Sequence, residues 1–450
     1  MRVGIIGGGI TGLSCAWYLN RAGVEAVVFD PAPGGSIGTV VVEDCILETG
    51  PESWLTSKPW AAQLVDQLGL SDQLTGSNDS QRRTYVVRRG KFEVLPEGLQ
   101  MVVPTKIMPV VTSQLFSWAT KLRMGTEIFR NPQTMPDRSV AEFVRDHFGQ
   151  EAVDYLAEPL LAGVYGGSPD LLSAASVLPR FVEYEQRFGS VVVGTLRNKP
   201  PATGNSVFQT MKQGMGTLID ALVARTTVVR ARVESVSPGD PAEGPQWNFY
   251  ADGAWQGFDS IVLACGANHS AGMVGPLDPS LSQLLGSIPY GGSSIWTFGY
   301  RKSQVGRALD AFGFLVPRPE RRTLMACTWL GTKWAGRVPD DKAVFRCFST
   351  EPDAAREAME ADLKHLVPIE GEAIFALCHR WPGAMPQYTV GHTGRSAAIA
   401  ARAAVLPNFY LAGNAYEGIG IPDCIRSAKK AADAIVNRQR TDTTKTGPAR

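Results

Sequence analysis

The run Gly7-Gly8-Gly9-Ile10-Thr11-Gly12 constrains this 450-residue chain more than any other feature. The apolar stretch before it, Arg2–Ile6, suits a buried parallel strand, and residues 11–22 place apolar side chains at helical spacing, so the glycines fall on a strand-to-helix turn. A GxGxxG turn needs glycine three times. The first makes the tight turn, the second lets backbone approach a pyrophosphate, and the third lets helix pack on strand. The helix N-terminus then faces the anion. A second strand over residues 26–29 ends at Asp30, where a carboxylate accepts hydrogen bonds from an adenosine ribose. The pattern predicts an α/β fold built on a Rossmann-like dinucleotide-binding domain. It also argues against an export signal, because three consecutive glycines break what would have to be a continuous apolar run.

The residues beyond Asp30 separate a flavin from a nicotinamide. Gly34-Gly35-Ser36-Ile37-Gly38-Thr39 and the later Leu47-Glu48-Thr49-Gly50-Pro51-Glu52-Ser53 resemble the GGxxxT extension of the amine-oxidase-type flavoproteins, which nicotinamide dehydrogenases lack. The same residues match GxSxG, but a nucleophilic Ser36 would have to sit on a strand-to-helix turn with a histidine partner, and here a strand-like 40–42 comes next. Toward the other end, residues 408–411 read as a strand, followed by a loop holding Gly413, Asn414, Gly418, Ile419, Gly420 and Ile421, then a helix to about Val436. Pro422 and Asp423 suit its first turn. The positive end of that helix fits the pyrimidine end of a flavin, where reduction leaves negative charge. Together the two motifs place both ends of the sequence in one FAD site.

Composition closes off other classes. Lys+Arg 44 against Asp+Glu 43 leaves a net charge of +1 with no sustained basic run, so nucleic acid is not an expected partner. The seven cysteines form no CxxC pair and the five histidines show neither HxH nor HExxH, which predicts no disulfide framework and no metal site. No run of roughly 18 apolar residues exists, and nothing should span a bilayer. A charged fraction of 19%, below the roughly 25% usual for soluble proteins, fits a large core and apolar cavity walls.

Internal blocks narrow the resemblance. They are Ser139-Val140-Ala141-Glu142-Phe143-Val144, Gly163-Val164-Tyr165-Gly166-Gly167-Ser168-Pro169, Gly214-Met215-Gly216-Thr217-Leu218, Gly313-Phe314-Leu315-Val316-Pro317, Lys333-Trp334, Arg380-Trp381-Pro382 and Met385-Pro386-Gln387-Tyr388. With Asn414 in place of the aspartate usual in amine oxidases, the chain is similar along its whole length to the porphyrinogen oxidases of haem biosynthesis. That resemblance implies FAD contacts at Gly7, Gly9, Ile10, Thr11 and Gly12 and at Asp30. It implies Gly35 and Ser36 beside the diphosphate, Gly50, Pro51, Glu52 and Ser53 beneath the isoalloxazine, Val233, in a strand over residues 228–236, at the adenine, and Asn414, Ile419, Gly420 and Ile421 at the flavin end. Ser36 and Gly38 stand where the family often has a basic residue, Arg138 replaces a common carboxylate, and Thr49 replaces a basic or apolar residue.

The reaction implied is a six-electron, FAD-dependent oxidation of protoporphyrinogen IX or coproporphyrinogen III by O2, with hydride passing from a meso carbon and a pyrrole proton lost to solvent or a weak base. No acid, base or metal ligand is named. For the tetrapyrrole, Tyr165 and Gly167 in the 161–167 loop are contacts implied by resemblance, with a core tyrosine the competing reading; Lys91, Lys106 and Arg380 are either propionate partners or surface charges. Residues 1–57, 205–270 and 405–437 form the FAD domain, 80–100 with 271–404 a strand-rich substrate domain, 101–200 a mainly helical domain and 438–450 a disordered tail. The 101–130 segment mixes Lys106, Lys121, Arg123 and Arg130 with Ile107, Met108, Phe116 and Trp118, and either roofs the substrate cavity or rests on the inner face of the membrane of a cytoplasmic protein. A divergent flavin amine oxidase or desaturase-like enzyme, or a flavin-binding protein without catalysis, stays open as the alternative.

Overall fold

The computed structural model describes residues 1–198, 206–240, 242 and 244–445. A five-stranded parallel sheet organises it. β1 (Arg2–Ile6) leads through α1 (Ile10–Arg21) to β2 (Glu25–Phe29), and β3 (Thr227–Val229), β4 (Ser260–Leu263) and β5 (Phe409–Leu411) complete the spatial order β3-β2-β1-β4-β5. Every pairing is parallel, with Gly4 of β1 level with Val27 of β2 and Ile261 of β4. Strands covered on both faces read as continuous apolar runs, which is why Val-Gly-Ile-Ile and Ile-Val-Leu occur here. The helix α2 (Ile421–Lys445) follows β5 and packs on α1, so Leu13, Ala16 and Leu19 share a core with Ile421, Cys424, Ile425 and Ala428.

Two differences from the sequence reading have local causes. Residues 228–236, read as one strand, divide: β3 ends at Val229 and a separate strand, Val233–Pro238, enters a three-stranded antiparallel sheet with Trp247–Ala251 and Ala254–Phe258. The break falls at Arg230-Ala231-Arg232, where the Ala231 N–H turns back to Val229 O at 2.9 Å and takes the chain off the edge of the parallel sheet. The tail expected to be disordered from 438 is instead helical as far as Lys445, because the first residues that break a helix are Gly447 and Pro448. Residues 446–450 and the domain boundary drawn at 205 lie outside the described residues.

A second sheet of seven strands takes the order Phe375–Pro386, Tyr290–Arg301, Lys342–Ser349, Ala326–Trp329, Gly313–Leu315, Tyr85–Arg88 and Lys91–Val94. The last two are a hairpin turning at Arg89 (φ 52°) and Gly90 (φ 70°), which places the 85–94 stretch on the edge of a sheet formed otherwise by residues 290–386. Between them the chain from Ile107 to Arg197 is helical with its own core of Phe143, Val144, Phe148, Leu156, Leu161 and Phe181. Its helix Val140–Phe148 begins with a capping box, Ser139 accepting from the Glu142 N–H while Glu142 accepts from the Ser139 N–H. Among the described residues no helix is long and apolar enough to cross a membrane, and no group of three or more His, Cys, Asp or Glu side chains could hold a metal.

Candidate functional site

The carboxyl ends of β1, β2, β4 and β5 open on one side of the parallel sheet, the place where such sheets bind ligands. The glycines there do different work. Gly7 takes φ 108° and donates its N–H to Phe29 O at 3.0 Å, making the turn. A Cβ on Gly12 would lie 1.8 Å from Gly7 O, so glycine is required for α1 to sit on the turn. A Cβ on Gly9 would meet nothing within 4 Å, although Gly9 caps a helix with no side-chain acceptor at its first N–H groups. An uncapped helix start, carrying Ile10, Thr11 and Gly12, behind an open glycine cradle fits a diphosphate.

Asp30 Oδ2 accepts from Gly8 N at 2.6 Å and Oδ1 from Ala32 N at 2.8 Å. A carboxylate has about four acceptor sites, so capacity is left for ribose hydroxyls. Asp30 N donates to Val229 O at 3.1 Å, which brings it near Val233, buried at the start of the antiparallel sheet. The Gly34 N–H reaches Gly8 O at 2.8 Å, and a Cβ on Gly35 (φ 61°) would stand 3.4 Å from Gly9 Cα. Gly50 passes so close to Ser36 that a Cβ would lie 2.0 Å from its carbonyl oxygen. Residues 7–12, 30, 34–36 and 50 are thus contiguous.

The other end of the chain reaches the same place. Ile10 and Ile421 lie in one core, and the loop before α2 is pinned by Tyr388, whose hydroxyl donates to Asn414 O at 2.6 Å and accepts from Gly418 N at 2.7 Å. Tyr388 stacks on His392 with centroids 3.9 Å apart; burial lowers the His392 imidazole to about 4 despite its bond to Tyr416 O, so it is uncharged at neutral pH. Lys58 closes the first turn of α2 through Asp423 at 2.5 Å, and Gly420 and Ile421 open that turn toward the cleft. Residues fit for FAD therefore come from both chain ends.

Sequence reasoning missed a buried ionic cluster on the segment between them. Pro51 and Ser53 flank Glu52, whose carboxylate does not stand free but pairs with Lys333 and Arg346. Burial pushes that carboxyl up, and the two cations overcome it and hold it at about 2. Arg346 also donates to Glu48 O at 3.1 Å and Gly50 O at 2.8 Å. Arg337 donates to Glu48 Oε1 at 2.6 Å and to Thr210 Oγ1 and Met211 O at 2.7 Å each. Trp381 Nε1 reaches Thr49 O at 2.9 Å. The legible signal is two acids, Glu48 and Glu52, in a segment otherwise apolar enough to be buried; their partners lie nearly 300 positions away and carry no motif.

Of the substrate candidates, Tyr165 and Gly167 come together and Arg380 does not join them. Tyr165 ends the helix Glu158–Tyr165, its carbonyl accepts from Gln387 Nε2 at 2.7 Å, and its ring centroid lies 6.3 Å from that of Tyr388. Burial raises its phenol to about 12. A Cβ on Gly167 would lie 1.8 Å from Gln387 Oε1. Arg380 is exposed, 5.9 Å from the Trp296 ring, and strand alternation puts it on the face opposite Trp381. Lys91 is exposed in its hairpin and Lys106 pairs at the surface with Glu97 at 3.4 Å.

Comparison with known proteins identifies the family. The family described as flavin containing amine oxidoreductase matches residues 10–436. The chain is 32% identical to a coproporphyrinogen III oxidase of Bacillus subtilis (strain 168), over 96% of this chain and 98% of that one. It is 26% identical to protoporphyrinogen oxidase 2 of Arabidopsis thaliana, over 97% and 94% of the two chains. A crystal structure from Exiguobacterium sp. 255-15, described as a protoporphyrinogen oxidase, superposes with a TM-score of 0.84 at 25% identity, covering 97% of this chain and 99% of that chain.

Proposed function

The chain belongs to the flavin containing amine oxidoreductase family and, within it, to the porphyrinogen oxidases, and on that premise we propose that it oxidises coproporphyrinogen III or protoporphyrinogen IX to the porphyrin, with FAD as cofactor and O2 as acceptor. The observation that carries this reading is the extent of the similarity, which spans nearly the whole chain and so takes in the blocks around Tyr165 and Gln387 as well as both flavin ends.

FAD, when bound, would supply a two-electron acceptor that O2 can reoxidise. The chain's own residues bind, orient and seal. The bare start of α1 holds the diphosphate, and Asp30 takes the ribose. The start of α2 would present its positive end to the flavin ring and favour its reduced, negatively charged form. Tyr388 fixes the loop that lines this end and, through Gln387, ties it to the Tyr165 loop, so cofactor and substrate walls share one support. Burial lowers the His392 imidazole to about 4, and burial followed by the Arg346 charge lowers that of His379. Catalysis then rests on orientation and exclusion of water rather than on a strong base. The test is to supply each porphyrinogen anaerobically prepared and follow porphyrin fluorescence against an autoxidation blank.

The 101–130 segment divides by residue. Val110, Leu115, Phe116 and Met124 are buried in the helical core, whereas Ile107 (80% exposed), Trp118 (71%), Leu122 (72%) and Phe129 (78%) face outward, Ile107 following Lys106 in sequence and the Trp118 ring lying 4.5 Å from the Lys121 ammonium. Large apolar side chains exposed this densely within one segment mark an interaction surface. We read it as a contact for an anionic bilayer, from the cytoplasmic side, through which a poorly soluble substrate reaches the cavity.

A further inference from the structure

We propose that the cluster of Glu48, Glu52, Lys333, Arg337 and Arg346 sets the midpoint potential of the flavin, with Arg346 as the positioning residue that holds residues 48–53 beneath it; this rests on the FAD site proposed above and on the placement of residues 50–53 beneath the ring that the sequence resemblance implies. The five side chains are two carboxylates and three cations, leaving one positive charge in surplus. Glu48, Arg337 and Arg346 are buried and Glu52 and Lys333 nearly so, and charges out of contact with water act on their surroundings with little screening. A structural cluster needs no surplus, since burying an unmatched charge is costly. The surplus favours the flavin state that carries negative charge, the reduced one.

Arg346 links that charge to the segment. It bonds the carbonyls of Glu48 and Gly50 and the carboxylate of Glu52, three acceptors within five residues of chain, and its Nε is buried with no partner among the described residues. All the cations come from residues 333–346 and both acids from residues 48–52, so a stretch nearly 300 positions away sets the charge around the 48–53 segment.

The test is a dye-equilibrated titration of the flavin potential in the holoenzyme. Arg346→Met and Lys333→Met each remove a positive charge and shift the potential negative; Glu52→Gln and Glu48→Gln each remove a negative charge and shift it positive; Arg346→Lys keeps the charge and stays near wild type. Should Arg346→Met fail to retain flavin, Lys333→Met and either glutamine variant give the same opposed signs. Unchanged potentials, or shifts of one sign for both charge classes, overturn the proposal, because loosening of the fold has no reason to follow the sign of the charge removed. A wild-type protein that takes up no FAD overturns the underlying reading, and this inference falls with it.

Discussion

Gly9→Val and Gly12→Ala change glycines of the same motif and have opposite consequences. Gly9 has φ −71° and ψ −178°, extended backbone that any residue adopts, and a Cβ there meets nothing within 4 Å. The empty chain should fold as wild type does, within about 0.5 kcal/mol. The valine methyls occupy the diphosphate cradle, so what is lost is binding. FAD present at about 1,000 times its dissociation constant stabilises the wild-type fold by roughly 4 kcal/mol, and Gly9→Val loses that increment. A Cβ on Gly12 lies 1.8 Å from the Gly7 carbonyl, where contacts under 3.0 Å essentially never occur, so α1 must move off β1 by more than an ångström. Overpacking of that kind costs about 1–3 kcal/mol with or without cofactor. Thermal melts of each variant with and without added FAD separate the two: one curve pair collapses together at the wild-type apo position, the other shifts down as a whole. Gly9→Val retaining flavin at full occupancy, or Gly12→Ala melting with wild type, refutes the reasoning.

Tyr388→Phe removes one bond to Asn414 O and one from Gly418 N, each worth about 0.5–1.5 kcal/mol, and should weaken FAD affinity by roughly one to two powers of ten while far-UV circular dichroism stays unchanged. Glu52 titrates at about 2 in the folded protein against an ordinary 4.5, so its contribution is present above pH 4.5 and lost as pH falls toward 2. That shift corresponds to roughly 3 kcal/mol, and denaturant midpoints of Glu52→Gln should vary less with pH across this window than those of wild type. Replacing Trp118, Leu122 and Phe129 by glutamine should abolish co-sedimentation with vesicles containing anionic lipid and leave turnover of detergent-dispersed substrate intact; undiminished sedimentation contradicts the membrane contact.

The parts of the fold governed by short-range rules were legible in the residues. The GxGxxG turn lies in the structure between a strand and a helix, as its spacing requires, and the serine that opens Ser139-Val140-Ala141-Glu142 is a helix cap whose partner is three residues on. What was not legible depended on long-range pairing. The turn that takes residues 228–236 off the parallel sheet is a backbone bond from Ala231 to Val229, which leaves no mark in a run of mostly apolar residues. Position alone marks Glu52 as a flavin contact, whereas its side chain is committed to Lys333 and Arg346, a fact that no spacing near Glu52 encodes. Arg380 stands out as a cation in a resembling block, and strand alternation, invisible until the register with Ser294 is known, turns it to the face opposite Trp381.

The central claim is tested most directly by the purified flavoprotein given coproporphyrinogen III and protoporphyrinogen IX side by side, anaerobically prepared, with oxygen admitted at time zero. The account predicts porphyrin fluorescence rising well above the autoxidation blank for at least one of the two, at a rate proportional to bound FAD. Full flavin occupancy with both traces lying on the blank would contradict it.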